Sequence, residues 1–128
     1  MIALSMCILL ITCRPYSEYD DEFIDGYVIG RESCYQNDSL NYWLIDCTVR
    51  PAWQTPQIGD TVVIDSIRYT NVIKIKNLPP DLQVIGLPIA IAYLVIKEKN
   101  ITGGCNIATP EVYYVREIVP TMLAISGG

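Results

Sequence analysis

The chain has 128 residues, of which 51% are hydrophobic, and a formal net charge of −5 from 9 basic and 14 acidic residues. This length suits one domain with one modest core and leaves no room for a second. The chain has no histidine, which removes the commonest general base and metal ligand, and its few Lys and Arg residues argue against a nucleic-acid partner.

The first element in the chain is an apolar run at residues 2–11, interrupted only by Ser5. It is shorter than the roughly 20 residues of a membrane-spanning helix and has the length of a signal-peptide core. We therefore predict a signal peptide over residues 1–12. The alternative is that this run forms the first buried strand or helix of a cytosolic domain.

The run ends in Leu10-Ile11-Thr12-Cys13, which resembles the lipobox of bacterial lipoproteins. The resemblance implies that Cys13 is lipidated and that the membrane is a partner through this anchor, in the outer membrane or at the surface of a bacterial cell envelope. Residues 14–25 contain one basic and five acidic residues, a net charge of −4. We interpret residues 13–25 as the lipidated cysteine and an acidic tether, and residues 26–128 as the folded domain.

From Phe23 onward, short apolar segments alternate with turn residues, and no sustained helical period is present. Alternation predicts that Trp43 and Cys47 face inward. Pro79 and Pro80 predict a short helical turn near 79–83. The predicted strands are 23–32, 41–49, 60–65, 67–76, 87–97 and 111–119, with a short edge strand at 121–125. The segment 87–97 is apolar on both faces and is predicted to be the central strand.

This pattern predicts an all-β fold, either a small antiparallel β-barrel of the OB-like kind or a β-sandwich. Closure into a barrel would remove the exposed strand edges that make such chains aggregate. The Cys13 motif, the acidic tail and the segments GYVIGRESC, LPPDL and GGCN are together similar to small bacterial envelope lipoproteins with β-barrel bodies. That resemblance implies an envelope location but no established activity.

The five cysteines lie at positions 7, 13, 34, 47 and 105. They contain no C-x-x-C pair, so no metal site is predicted. If Cys7 leaves with the signal peptide and Cys13 is acylated, three cysteines remain. Of these, Cys47 is predicted to face inward, whereas Cys34 and Cys105 both fall in loops. We predict a Cys34–Cys105 disulfide. All thiols would instead be free if the protein were cytosolic.

The candidate ligand face consists of aromatic and basic residues near strand ends, namely Tyr35, Trp53, Lys74 and Lys76. Trp and Tyr supply much of the binding energy at interfaces. Further candidates of the same kinds are Tyr113, Tyr114, Lys97 and Lys99. The competing interpretation is that these tyrosines pack in the core and that the lysines protect strand edges.

We therefore predict a lipid-anchored envelope protein with a non-catalytic binding or structural β domain, no cofactor, and a protein or glycan partner. One alternative is a cytoplasmic OB-type module that binds single-stranded nucleic acid or oligosaccharide. Another is a hydrolase that uses only carboxylates, such as Asp46 and Asp60.

Overall fold

The computed structural model describes residues 23–48 and 56–126. These residues form one β-sheet with two single-turn 3₁₀ helices, Asp38–Leu40 and Pro80–Leu82. The strands are β1 (Phe23–Arg31), β2 (Trp43–Asp46), β3 (Asp60–Ile64), β4 (Ile67–Ile75), β5 (Pro88–Ile96) and β6 (Arg116–Ile125). The predicted all-β class and the helical turn near 79–83 are confirmed. The predicted signal peptide, the lipidated Cys13 and Trp53 lie outside the described residues.

The sheet closes on itself. Its strand order is β2-β1-β5-β6-β4-β3, and β2 also pairs with β4, so five strands form a barrel-like ring with β3 attached to β4. Among the described strands, β4 and β6 form the one parallel pair, and the other pairs are antiparallel. Ring closure pairs strand edges that would otherwise be open to another chain. The barrel-like ring agrees with one of the two architectures expected from the sequence, the small barrel.

The long strand β4 has two partners along one side. Its second half pairs with β2, with Trp43 opposite Ile75 and Ile45 opposite Ile73, and its first half pairs with β3. A tight turn at Asp65 and Ser66 joins β3 to β4. Both turn residues have positive φ angles, 51° and 69°, as a type I′ hairpin turn requires. The chain therefore leaves the sheet after β2 and returns in β3 to the same side of β4.

Asn71 on β4 binds the backbone at both ends of the segment that connects β2 to β3. Its side-chain oxygen accepts hydrogen bonds from Ile58 N (3.1 Å) and Gly59 N (2.7 Å), and its amide nitrogen donates to Pro56 O. Its backbone oxygen accepts a hydrogen bond from Cys47 N. The buried Asn71 thus satisfies backbone groups that the strand break would leave unpaired.

The main core fills the ring. Alternate residues of β2, β4 and β5 point inward, as the sequence alternation predicts for Trp43 and Cys47, both of which are buried. Burial raises the pKa of the Cys47 thiol to about 12, with smaller contributions from Asp46 and Asp25. The helical turn at Pro80–Leu82 adds Leu82 to this core. The buried members of the cluster are Ile24, Val28, Trp43, Ile45, Cys47, Ile58, Ile73, Ile75, Leu78, Leu82, Ile89, Ile91 and Ile118.

A second, smaller cluster lies on the other face of β2 and β4, which the alternation leaves for solvent. Leu44 and Val72 on that face are buried with Val62 and Val115. They are covered because the connection between β5 and β6 packs across the outside of the ring. Both faces of the β2–β4 pair are therefore buried, and this double burial determines the site described below.

Two strand predictions are corrected. The predicted strands 111–119 and 121–125 are not separate, because one strand, β6 (Arg116–Ile125), runs through Pro120. Residues 111–115 precede this strand and form only isolated bridges, at Glu111 and Val115. Pro120 lies opposite Tyr93 at a register irregularity in the β5–β6 pairing, where a missing N–H is tolerated.

The central strand β5 is buried at Ile89 and Ile91 but exposes Val95 and Ile96 at its end, so it is not covered along its whole length.

Candidate functional site

The segment between β5 and β6 is fixed to the β1–β2 connection. A disulfide joins Cys34 to Cys105 across a separation of 71 residues, which confirms the pairing predicted from the sequence. Asn106 N donates to Cys34 O, and the Tyr35 hydroxyl donates to Gly103 O, both at 2.9 Å. Ser33 and Glu111 form an isolated antiparallel bridge. We call residues 97–115 the covering loop, because they lie over the outer face of β2 and β4.

Beneath the covering loop lies a buried ion pair. Lys74 on β4 and Glu32 at the end of β1 both have fully buried side chains, and Lys74 Nζ lies 3.6 Å from Glu32 Oε2. The Lys74 ammonium also donates to Asn100 O (3.0 Å) and Thr102 Oγ1 (2.9 Å), and more weakly to Tyr113 O. All of these acceptors apart from Glu32 belong to the covering loop.

The carboxylate of Glu32 is equally well satisfied. The Thr102 hydroxyl donates to Oε1 at 2.6 Å, and Tyr113 N donates to Oε2 at 2.8 Å. Among the described residues, no buried side-chain nitrogen or oxygen lacks a hydrogen-bond partner. A fully satisfied buried pair of this kind fixes the position of the loop that supplies its partners.

The ion pair continues outward through Tyr42. The Lys74 ammonium lies 4.9 Å from the centroid of the Tyr42 ring, and the Tyr42 hydroxyl donates to Glu117 Oε1 at 3.1 Å. Lys97 Nζ lies 3.8 Å from the same oxygen. Burial, followed by the negative charge and hydrogen bond of Glu117, raises the pKa of Tyr42 to about 12. Tyr42 therefore acts as a neutral hydrogen-bond donor at neutral pH.

A cleft opens where the covering loop meets the start of β3. Its volume is about 480 Å³, within the roughly 300–1,000 Å³ range of small-molecule sites. Asp60, Thr61 and Val62 of β3 form one wall, and Lys99, Tyr114 and Arg116 form the other. Gln57 and Gly59 complete the lining, and the Gln57 amide nitrogen is held by Gly59 O and Thr70 O.

Asp60 is the electrostatic centre of this cleft. Its side chain is only 11% exposed, and its Oδ2 accepts a hydrogen bond from Arg116 N at 2.9 Å. Its Oδ1 lies 3.8 Å from the Arg116 guanidinium and 4.0 Å from Lys99 Nζ. Among the described residues that line the cleft, two cations therefore face one carboxylate, which is a net positive charge in a chain of net charge −5. Such an arrangement attracts anionic groups.

The structure does not bring the predicted ligand-face residues together. Lys74 is a correction, because the covering loop buries it completely and no ligand can reach it. Tyr35 lies beside the disulfide, with its hydroxyl bonded to Gly103 O, and exposed Lys76 follows the end of β4. None of these three residues lines the cleft.

Other residues weighed in the sequence do line the cleft. Tyr114, Lys99 and Asp60, which the sequence analysis named, line the cleft. Arg116 also lines it and was not predicted from the sequence. The signal for Arg116 was its position two residues after Tyr114, which places both on one face of an extended segment. The carboxylates of the alternative hydrolase differ in their surroundings: Asp46 Oδ1 accepts a hydrogen bond from Thr48 N, and only Asp60 lines the cleft.

A second hollow of about 230 Å³ lies at the other end of β4, between Trp43 and the helical turn that begins at Pro80. None of the described residues that line it is charged. Within residues 23–48 and 56–126, no helix is long and apolar enough to cross a membrane. The same residues contain no group of three or more cysteines and carboxylates placed to hold a metal ion.

The cleft between β3 and the covering loop is therefore the candidate site, with Asp60, Lys99, Tyr114 and Arg116 as its functional side chains. Comparison of the chain with protein-family models, with curated proteins and with solved structures gave no match.

Proposed function

We propose that this protein is anchored to a bacterial cell envelope by a lipid on Cys13 and that its β domain binds a ligand in the Asp60 cleft without transforming it. The Cys34–Cys105 disulfide carries the proposal. Disulfides form and persist outside the reducing cytoplasm, so the bridge favours an exported protein over a cytoplasmic one.

The disulfide also supports the binding role. It fixes the covering loop, which supplies Lys99 and Tyr114 to one wall of the cleft, while β3 supplies the other wall. Binding sites gain affinity when their walls are ordered before the ligand arrives. The cleft offers charge and an aromatic surface, which are binding features, and the Asp60 carboxylate is already engaged by Arg116 and Lys99.

Membrane fractionation tests the anchor. Expressed with its own N terminus in a bacterial host, the wild-type chain is expected in the membrane fraction and Cys13→Ser in the soluble fraction. Cys7→Ser is the matched control, because it removes another cysteine from the same apolar run and leaves the lipobox-like sequence intact. An identical distribution of wild type and Cys13→Ser would refute the anchor.

Intact mass and thiol counting test the export. The mature wild-type protein should lose residues 1–12, gain acyl chains and, after denaturation without reductant, expose one free thiol from Cys47. A chain that keeps Met1 and exposes all of its thiols would favour the cytoplasmic binding module instead.

A further inference from the structure

We propose that the ligand of the Asp60 cleft is an acidic saccharide, with its carboxylate on Lys99 and Arg116 and its sugar ring against Tyr114. This inference rests on the proposed binding function and names the class of ligand. It follows from the unused hydrogen-bond donors, the local charge and the exposed aromatic ring of the cleft.

The two cations of the cleft have unused hydrogen-bond donors. Lys99 Nζ and the Arg116 guanidinium lie 4.0 and 3.8 Å from Asp60 Oδ1, which are ion-pair distances beyond hydrogen-bond reach. Neither side chain donates a hydrogen bond to another described residue at closer range. An ammonium has three donors and a guanidinium has five, so both have donors left for an incoming group.

The charge at the cleft determines the sign of that group. The negative charge of Asp60 balances one of the two cations. The Asp60 carboxylate accepts a hydrogen bond from Arg116 N and forms an ion pair with the Arg116 guanidinium. One positive charge remains, and it is partly exposed, since 47% of the Lys99 and 38% of the Arg116 side-chain surface is open to solvent. The planar guanidinium suits a carboxylate, which it can bind through two parallel hydrogen bonds.

Tyr114 indicates what carries the carboxylate. The residue is 55% exposed although it is large and aromatic, and Lys99 Nζ lies over its ring, 5.0 Å from the centroid. An exposed aromatic ring supplies a rigid, amphipathic contact surface, which fits the apolar face of a sugar ring beside its hydroxyl groups. Tyr114 and Arg116 are two residues apart in the chain. One small molecule can therefore place its sugar ring on Tyr114 and its carboxylate on Arg116.

Single-stranded nucleic acid fits the cleft less well. Its binding needs a groove of basic residues that follows the backbone, with several aromatic rings for successive bases. The described lining of the cleft has two cations with a carboxylate between them and one aromatic ring, on a chain whose net charge is −5.

The test uses the full chain in detergent and two matched probes, trigalacturonate and its methyl ester, which has the same rings without the negative charges. Calorimetric titration should show binding of trigalacturonate that is at least about tenfold stronger than binding of the ester, since charge-assisted hydrogen bonds account for that ratio. Arg116→Gln and Lys99→Gln should each weaken trigalacturonate binding about fivefold or more, and Tyr114→Ala should weaken both probes.

Lys76→Gln is the matched control, because it removes one positive charge from an exposed position that does not line the cleft. It should leave the affinity unchanged. Equal binding of acid and ester would overturn the acidic ligand but keep the binding function. An equal loss in Lys76→Gln, or stronger binding of oligothymidylate than of trigalacturonate, would overturn the inference. Lack of any binding at about 10 mM probe would do so as well. Fractionation of Cys13→Ser reports on the anchor independently of all these outcomes.

Discussion

The least expected residue in the structure is Lys74, a charged side chain buried in a small β domain. Its ammonium is held by Glu32 and by three oxygens of the covering loop, so the cost of removing the charge from water is offset by several contacts. Buried pairs of this kind contribute little when intact. They become costly when one partner is removed, because the other charge stays buried alone.

We therefore expect Lys74→Met to lower the free energy of unfolding by about 3–5 kcal/mol, measured by urea denaturation. Lys76→Met, two positions along the chain and exposed, should change it by less than about 0.5 kcal/mol. Adding Glu32→Gln to Lys74→Met should recover part of the loss, because a neutral amide needs no cation and can still accept from Tyr113 N. Strictly additive losses would show that the two side chains are not coupled.

At the scale of elements, the interrupted edge of β4 depends on close contact between Gly59 and the backbone of Val72. A Cβ atom added at Gly59 would lie 2.5 Å from Val72 C and 2.7 Å from Val72 N, both backbone atoms that cannot move aside easily. This contact places Asp60, the next residue, at the edge of the cleft. The glycine is therefore needed for the path of the chain as it re-enters the sheet.

We expect Gly59→Ala to destabilise the domain by about 1–3 kcal/mol and to weaken binding in the cleft, because the start of β3 must shift. Thermal unfolding and probe titration measure the two effects. Gly30→Ala is the control, since a Cβ there meets nothing within 4 Å and Gly30 has no positive φ angle. Equal stability of the two alanine variants would contradict this account.

Element by element, the sequence predicted what local patterns encode. Alternation identified the inward faces of Trp43 and Cys47, and paired prolines identified the turn at Pro80–Leu82. Lys74 lies on the opposite face of β4 from Ile73 and Ile75, as the alternation of side chains along a strand requires. Alternation carries no information about what covers that face, so the burial of Lys74 could not be predicted. The cleft was equally hidden, because Asp60 and Arg116 are 56 positions apart and meet only through the sheet.

At the scale of the whole molecule, the disulfide links the covering loop to the ring. The same loop supplies the oxygens that bind Lys74 and one wall of the cleft, so the ion pair and the cleft both depend on its position. The disulfide closes a loop of about 70 residues, for which the chain-entropy model gives about 4 kcal/mol, with measured values often lower. The remaining described cysteine, Cys47, is buried and its raised pKa, about 12, keeps it as an unreactive thiol. It is therefore a poor competitor for exchange with the bridge.

We expect the double variant Cys34→Ala with Cys105→Ala to lose about 2–4 kcal/mol of unfolding free energy and to bind cleft probes more weakly. Reductant should lower the stability of the wild type to a similar level and leave the variant unchanged, which serves as the internal control.

The stability lost without the disulfide should overlap with that lost in Lys74→Met, because a released loop no longer supplies the oxygens that hold the ammonium. Combining the Lys74 and cysteine changes should then cost less than the sum of their separate effects. Full additivity would mean that the bridge and the ion pair stabilise the domain independently, and that the loop keeps its position over β4 without the disulfide.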